Sequence, residues 1–139
     1  MAHDNLTDDE VRTILKGTTR IAVVGASNKP DRPSYGVIGA LVAAGYEVTP
    51  VNPGLVGQQI HGCVVAAYLA DAGALDMVDI FRAPDAVAPV VDEAVRLGAR
   101  TIWMQLGIVN QDAAEVARAA GLQVVMDRCP KIELPRLGL

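Results

Sequence analysis

The chain has 139 residues and a mass of 14.6 kDa, with 51% hydrophobic and 20% charged residues. That balance excludes a disordered polymer and fits one domain, residues 1–139, with a core built mostly of Val, Ala, Leu and Ile because aromatics are only 4%. A net charge of −4 argues against general nucleic-acid or acidic-membrane binding, each of which needs a basic face.

The first predicted element is a helix over about 7–17. Thr7 stands at its N-cap and Glu10 three residues on, a capping box, with Leu6 and Val11 placed as a hydrophobic staple. Gly17 ends it. Arg20 to Gly25 is a β-branched apolar run, the pattern of a strand buried on both faces. After a loop with Pro30 and Pro33, Ser34 is expected to cap a helix that runs through Ala44 and closes at Gly45. Tyr46 to Val51 reads as a strand stopped by Asn52-Pro53-Gly54. Between residues 55 and 73 the pattern predicts a short strand near Ile60 and a helical turn around Ala66–Ala70.

Leu75 to Phe81 is the next strand, broken in polarity by Asp76 and Asp79. A helix is predicted over 84–97, with Val87, Val90, Val91, Ala94 and Val95 inward. Pro89 does not suit a helix interior, so this helix starts late or bends. Thr101 to Met104 is a strand, Asn110 caps a helix through Ala120, and Leu122 to Met126 is the last strand. The tail, about 130–139, holds two prolines and is expected to wrap the surface.

Strands alternating with helices predict a single Rossmann-like α/β fold: a doubly wound, mainly parallel sheet with helices on both faces. In such sheets ligands bind beyond the carboxyl ends of the strands, where the strand order switches. The strand ends here carry residues that packing alone would not choose: Gly25-Ala26-Ser27, Asn52-Pro53-Gly54, Phe81-Arg82, Gln105-Leu106-Gly107 and Asp127-Arg128-Cys129-Pro130.

The first loop is the most informative. Gly25 allows close backbone approach, Ser27 and Ser34 offer hydroxyls, and Lys29 and Arg32 add positive charge ahead of a helix start at Ser34-Tyr35-Gly36. These are parts for a phosphorylated ligand; the plainer reading is a turn with solvated charges. The loop is neither G-x-G-x-x-G nor a P-loop. No acid ends the second strand, which disfavours a conventional NAD site and leaves NADP open.

Phe81 and Arg82 are suited to flank an adenine, or Phe81 closes the core and Arg82 is solvated. Trp103 and Met104 read as packing residues, whereas Gln105 and Gly107 lie past their strand as ligand candidates. Cys129 is a thiol beside Arg128 and is read as a small buried residue before Pro130 rather than a nucleophile. Only His3 and His61 are available to pair with it. His61 and Cys63 lack a second pair of metal ligands, and no carboxylate pair stands out for acid–base work. Neither a catalytic residue nor a metal site is therefore assigned. Two cysteines are too few for a disulfide framework, and the acidic N-terminus does not resemble a signal peptide. No apolar run approaches the ~18–20 residues of a membrane span. A cytoplasmic location is the expectation.

Six blocks carry a family resemblance. They are Val23 to Pro30, Pro33 to Gly36, Val51-Asn52-Pro53, Met77 to Arg82, Trp103 to Gly107 and Met126 to Pro130. In this order, across about residues 15–139, they resemble the small stand-alone CoA-binding proteins. These are similar to the N-terminal CoA-binding domain of succinyl-CoA synthetase α subunits and of ADP-forming acyl-CoA synthetases. The resemblance implies a Rossmann-type domain with coenzyme A along the strand carboxyl ends. Gly25, Ala26 and Ser27 would meet the phosphates with Lys29 or Arg32, beside Ser34 and Tyr35. Asn52, Pro53, Phe81 and Arg82 would border the nucleotide. Gln105 to Gly107 would follow the pantetheine arm, and Cys129 and Pro130 would form the far wall. The synthetases' phosphorylated histidine and nucleotide-grasp machinery belong to further domains that this chain does not contain, so synthetase activity does not follow.

The leading expectation is thus a CoA or acyl-CoA binding protein without an evident catalytic centre. Two alternatives stand beside it. One is an enzyme, either an NAD(P)-linked oxidoreductase or a thiol-transfer enzyme using Cys129. The other is a regulatory subunit that docks on a larger enzyme through the apolar residues of the tail; a homo-oligomer is also open.

Overall fold

The computed structural model describes residues 3–139. Five parallel strands form the central sheet: β1 (Arg20–Val24), β2 (Glu47–Val51), β5 (Met77–Ile80), β6 (Thr101–Met104) and β7 (Gln123–Val125). Their order is β2-β1-β5-β6-β7. The chain steps outward from β1 to β2 and then returns to the other side of β1, so the order switches between β1 and β5. A two-residue pair, β3 (Gln59–Ile60) and β4 (Cys63–Val64), forms an antiparallel hairpin between β2 and β5 in the chain.

The helices are α1 (Asp8–Lys16), α2 (Pro33–Ala43), α3 (Val87–Arg96), α4 (Gln111–Ala119) and α5 (Pro130–Arg136). Side chains alternate across a strand, which gives each strand residues for both faces. Ile21, Val23, Met77, Trp103 and Val125 pack with Val11, Ile14 and Leu15 of α1, Val37, Ile38 and Leu41 of α2, and Leu134 of α5. Ala22, Val24, Val78, Ile80, Ile102 and Met104 face the other way, onto Val87, Val91 and Ala94 of α3 and Ala113, Ala114 and Ala117 of α4. The small residues of α4 let it lie close to the sheet.

Local signals behave as their chemistry requires at both ends of the chain. Thr7 Oγ1 accepts from Glu10 N (3.2 Å), and Thr7 N donates back to Glu10 Oε1 (3.0 Å), the reciprocal capping box that starts α1. Asn110 Oδ1 accepts from Ala113 N (3.0 Å) and starts α4.

Three expectations are corrected, and the open choice for the 84–97 helix is settled as a late start. Helix α2 begins at Pro33, whose fixed φ suits the first helical position, so Ser34 is not its cap. Ser34 is instead buried, and its Oγ accepts from Ser27 N. Helix α3 begins at Val87, after a 3-10 turn at Pro84–Ala86. Pro89 therefore falls in its first turn, where a missing N–H breaks no helical bond. The turn expected around Ala66–Ala70 lies later, at Leu69–Ala72, because Ala66 is bridged to Val51 at the sheet edge. The tail does not wrap the surface as extended chain. Pro130 starts the seven-residue α5, and Glu133, Leu134 and Leu137 are buried beneath it.

Candidate functional site at the carboxyl edge of the sheet

A cleft of ≈ 450 Å³ opens at the carboxyl ends of β1, β5 and β6, on the switch in strand order. Its floor and one wall come from the β1–α2 loop. Gly25 has φ +86°, and a Cβ there would lie 2.2 Å from the Phe81 carbonyl oxygen, so only glycine lets this loop pass over the end of β5. Beyond it the loop is held by its own hydroxyls: Ser27 N donates to Ser34 Oγ (3.0 Å) and Lys29 N to Ser27 Oγ (3.1 Å). Asn52, just past β2, joins two loops. Its Nδ2 donates to Ala26 O (2.8 Å) while its Oδ1 accepts from Gly54 N (2.8 Å).

Three exposed cations, Lys29, Arg32 and Arg82, line the cleft, and no Asp or Glu does. None of the three takes part in an ion pair among the described residues. Helix α2 starts at the rim with no side-chain cap; Pro33 has no N–H and Tyr35 N donates to Arg32 O (3.1 Å), so the helix start offers the cleft chiefly the positive end of its dipole. Phe81 and Gln105 close the floor, with Leu106 and Ile108 beside them. An anion is the ligand class that these charges favour.

The cleft continues on both sides. Toward α3, a groove of ≈ 190 Å³ shares Arg82 with it and is lined by Pro53, Tyr68 and Val90. Toward α5, a groove of ≈ 420 Å³ shares Leu106 and is lined by Met126, Arg128, Cys129 and Ile132. The three together make an elongated edge with its positive charge in the middle.

The α5 end is braced by ion pairs. The Arg128 guanidinium donates to Asp4 Oδ2 (2.9 Å) and Oδ1 (3.1 Å) and to Glu133 Oε1 (2.9 Å), and Arg136 bridges Glu133 to Asp8. Burial works against the Asp4 charge. The Arg128 guanidinium and the N–H groups of Leu6 and Met126 outweigh it and hold the carboxyl below its usual range. Glu133 is held low in the same balance, burial opposing and Arg136 with Arg128 prevailing. Arg128 is therefore committed to structure rather than to a ligand or a thiol.

Of the residues expected from sequence, Gly25, Ala26, Ser27, Lys29, Arg32, Ser34, Asn52, Phe81, Arg82 and Gln105 all line the central cleft. Pro53 lies in the α3-side groove and Cys129 in the α5-side groove. Tyr35 turns away: its ring packs on His61 (centroids 4.3 Å apart), and His61 Nε2 contacts the Tyr35 carbonyl (2.9 Å). Gly107 N donates to Asp127 Oδ1, and Gly107 itself does not line the cleft although its neighbours Leu106 and Ile108 do. Pro130 is buried as the first residue of α5. Ile108 and Tyr68 are added by the structure, and Leu106, expected only as part of the stretch Gln105 to Gly107, lines the cleft itself. The one signal for Leu106 in the sequence is an apolar side chain between Gln105 and Gly107, outside the strand.

Among the described residues, no group of three His, Cys, Asp or Glu side chains is placed to hold a metal ion. Among them also, no helix is long and apolar enough to cross a membrane.

Comparison with known proteins gives the family and the fold. A family model described as CoA binding domain matches residues 19–135. The Uncharacterized protein YneT of Bacillus subtilis (strain 168) is 37% identical over 123 residues, covering 88% of this chain and 90% of that protein. A hypothetical protein from Pyrococcus horikoshii OT3 has 35% identity and a TM-score of 0.93, covering 100% of this chain and 97% of that one. The structure of cell-free ID.343 from Thermus thermophilus has 36% identity and a TM-score of 0.89, covering 95% and 99%. The dinucleotide forming Acetyl-coenzyme A synthetase 1 of Ca. Korarchaeum cryptofilum shares the fold at 22% identity and a TM-score of 0.68, over 87% of this chain and 28% of its own length.

Proposed function

The chain belongs to the CoA binding domain family, and on that premise we propose that it binds coenzyme A or an acyl-CoA along the carboxyl edge of its sheet. The observation that carries this reading is the central cleft: three unpaired cations and no acid, in a chain whose net charge is −4. A diphosphate bridge sits there, beneath the α2 N-terminus. The two flanking grooves accommodate the arms of an elongated ligand on either side of it. Phe81 and Arg82 supply an aromatic edge and a guanidinium for the nucleotide, and Gln105 and Leu106 line the way toward the α5-side groove. The residues present thus fit CoA in charge and in extent.

The protein is read as a binding module, with no residue assigned to a covalent step. Cys129 stands at the α5-side groove with Arg128 tied into ion pairs beside it. Ligand-dependent melting tests the reading. CoA, dephospho-CoA, NAD, NADP and ATP are compared in parallel. CoA at 100 times its dissociation constant adds about 2.7 kcal/mol, a rise of several degrees. Dephospho-CoA is expected to bind more weakly, because one of Lys29, Arg32 and Arg82 meets the 3′-phosphate. A shift with NAD or NADP alone would replace this reading with the oxidoreductase one.

A further inference from the structure

Two buried side chains at the carboxyl edge carry oxygens that nothing in the chain satisfies. Asp79 of β5 is 0% exposed, and neither Oδ1 nor Oδ2 has a hydrogen-bond partner. Gln105, one residue past β6, is 5% exposed and lines the cleft, and its Oε1 is also unpartnered. Among the described residues, these are the buried side-chain polar atoms without a partner.

Sheet register brings them together. Asp79 pairs with Trp103, and Gln105 N donates to Ile80 O (3.4 Å), two residues further along the same strand line. Side chains alternate, so Asp79, Trp103 and Gln105 share the face covered by α1, α2 and α5. Asp79 and Gln105 are diagonal neighbours on adjacent parallel strands, which lie about 4.8 Å apart, and a long side chain or one water closes the remaining span. The other polar group nearby is already engaged: Trp103 Nε1 donates to Arg128 O (2.7 Å).

An ionised carboxyl with no partner does not persist in such a place. Asp79 is 0% exposed with neither oxygen partnered, and burial raises its pKa well above the ordinary value, so the site favours the neutral acid, which has one O–H to give. Gln105 Oε1 is the remaining buried acceptor without a donor.

We propose that Asp79 is a positioning residue for the cleft: its carboxyl O–H donates to Gln105 Oε1, directly or through one buried water, and so turns the Gln105 Nε2 hydrogens toward the ligand. An uncharged N–H donor beside Phe81, Leu106 and Ile108 suits an uncharged acceptor, so Gln105 reads a carbonyl of an amide or thioester while the cations hold the phosphates. This role rests on the proposed CoA site. It also accounts for a buried polar side chain in an otherwise apolar strand, MVDI.

The test titrates CoA into the wild type, D79N, D79V, Q105L and the D79V/Q105L pair, with melting curves and NMR of the Gln105 side-chain amide in the ligand-free protein. D79N keeps a donor and is expected to bind within about threefold of wild type. D79V and Q105L are each expected to bind about tenfold more weakly, the worth of one hydrogen bond. The pair is expected to lose no more than either single variant. D79V is expected to melt no lower than the wild type and to shift the Gln105 amide resonances; D79A takes its place if D79V does not fold. Wild-type affinity in D79V, or additive losses in the pair, would overturn the proposal while leaving the CoA site standing. If the wild type bound no CoA, the proposed function would fail. The ligand-free resonances would then decide the Asp79–Gln105 link alone: moved in D79V they uphold it, unmoved they overturn it.

Discussion

Gly25 and Phe81 meet backbone to backbone at the switch in strand order, with room for a hydrogen and not for a methyl group. A Cβ on Gly25 would stand 2.2 Å from the Phe81 carbonyl oxygen, and its φ of +86° adds to the penalty. This contact sets the height of the β1–α2 loop over the sheet, and with it the placement of Ser27, Lys29 and the α2 N-terminus. Gly25→Ala is expected to cost roughly 2–3 kcal/mol, about 6–12 °C in Tm, from strain and forced displacement together. It is also expected to weaken CoA binding more than any single cation substitution. Melting curves and calorimetric titration check both.

The cations of the cleft are expected to behave oppositely. Lys29→Ala, Arg32→Ala and Arg82→Ala each remove an exposed, unpaired charge, so stability should stay within about 0.5 kcal/mol of wild type. Affinity for CoA should fall by roughly three- to tenfold for each, and the deficit should shrink as salt is raised. An affinity unchanged in all three would remove them from the site. Comparing CoA with dephospho-CoA in each variant identifies which cation meets the 3′-phosphate, since that variant no longer distinguishes the two.

The ion pairs under α5 are structural. Asp4 is fully buried on its side chain and binds Arg128 through both carboxylate oxygens. Arg128→Ala leaves that carboxylate without its guanidinium partner and is expected to cost roughly 3 kcal/mol, the low end for a broken buried pair because Leu6 N and Met126 N still donate to it. Asp4→Asn is the milder change. Chemical denaturation at neutral pH ranks the two.

Two sets of carboxylates give stability opposite dependences on pH. Asp4 and Glu133 titrate below their usual range in the folded chain. Their contribution is present above the ordinary carboxylate pKa and is lost as pH falls through the folded values. Asp79 titrates above its ordinary value of 3.8. Its contribution is complete below that value and is lost as pH rises from it toward the folded value. Asp79→Asn is therefore expected to exceed the wild type in stability at neutral pH and to lose that advantage near pH 4. An advantage that stayed constant across this range would show that Asp79 titrates normally.

Much of this organisation was legible in the sequence because its signals are local. Thr7 with Glu10, Asn110 with Ala113, and the runs at 20–25, 75–81 and 101–104 each depend on neighbours a few residues away. The candidate site was legible for a topological reason: a parallel sheet delivers every strand's carboxyl end to one edge, so residues just after each run must assemble. What stayed hidden depends on contacts made at a distance. Two prolines make 130–139 read as irregular, yet Pro130 begins a helix and Pro135 falls in its last turn. Asp76 and Asp79 look alike as polar breaks in one strand. Asp76 lies at the other end of the sheet and takes the N–H groups of Thr19 and Arg20, at 2.9 Å each, while Asp79 takes none. Tyr35 follows the α2 start directly and still turns to His61, because the helix sends consecutive side chains to different faces.

Mapping the bound ligand onto the backbone tests the central claim most directly. A titration of isotope-labelled protein with CoA, followed through amide chemical shifts, is expected to move Gly25, Ala26, Ser27, Ser34, Arg82, Gln105 and Leu106. The amides of α4 and of the hairpin tip at His61 should stay fixed. Saturating CoA with no shifts at the carboxyl edge, or shifts confined to α4 and the His61 hairpin, would contradict the account.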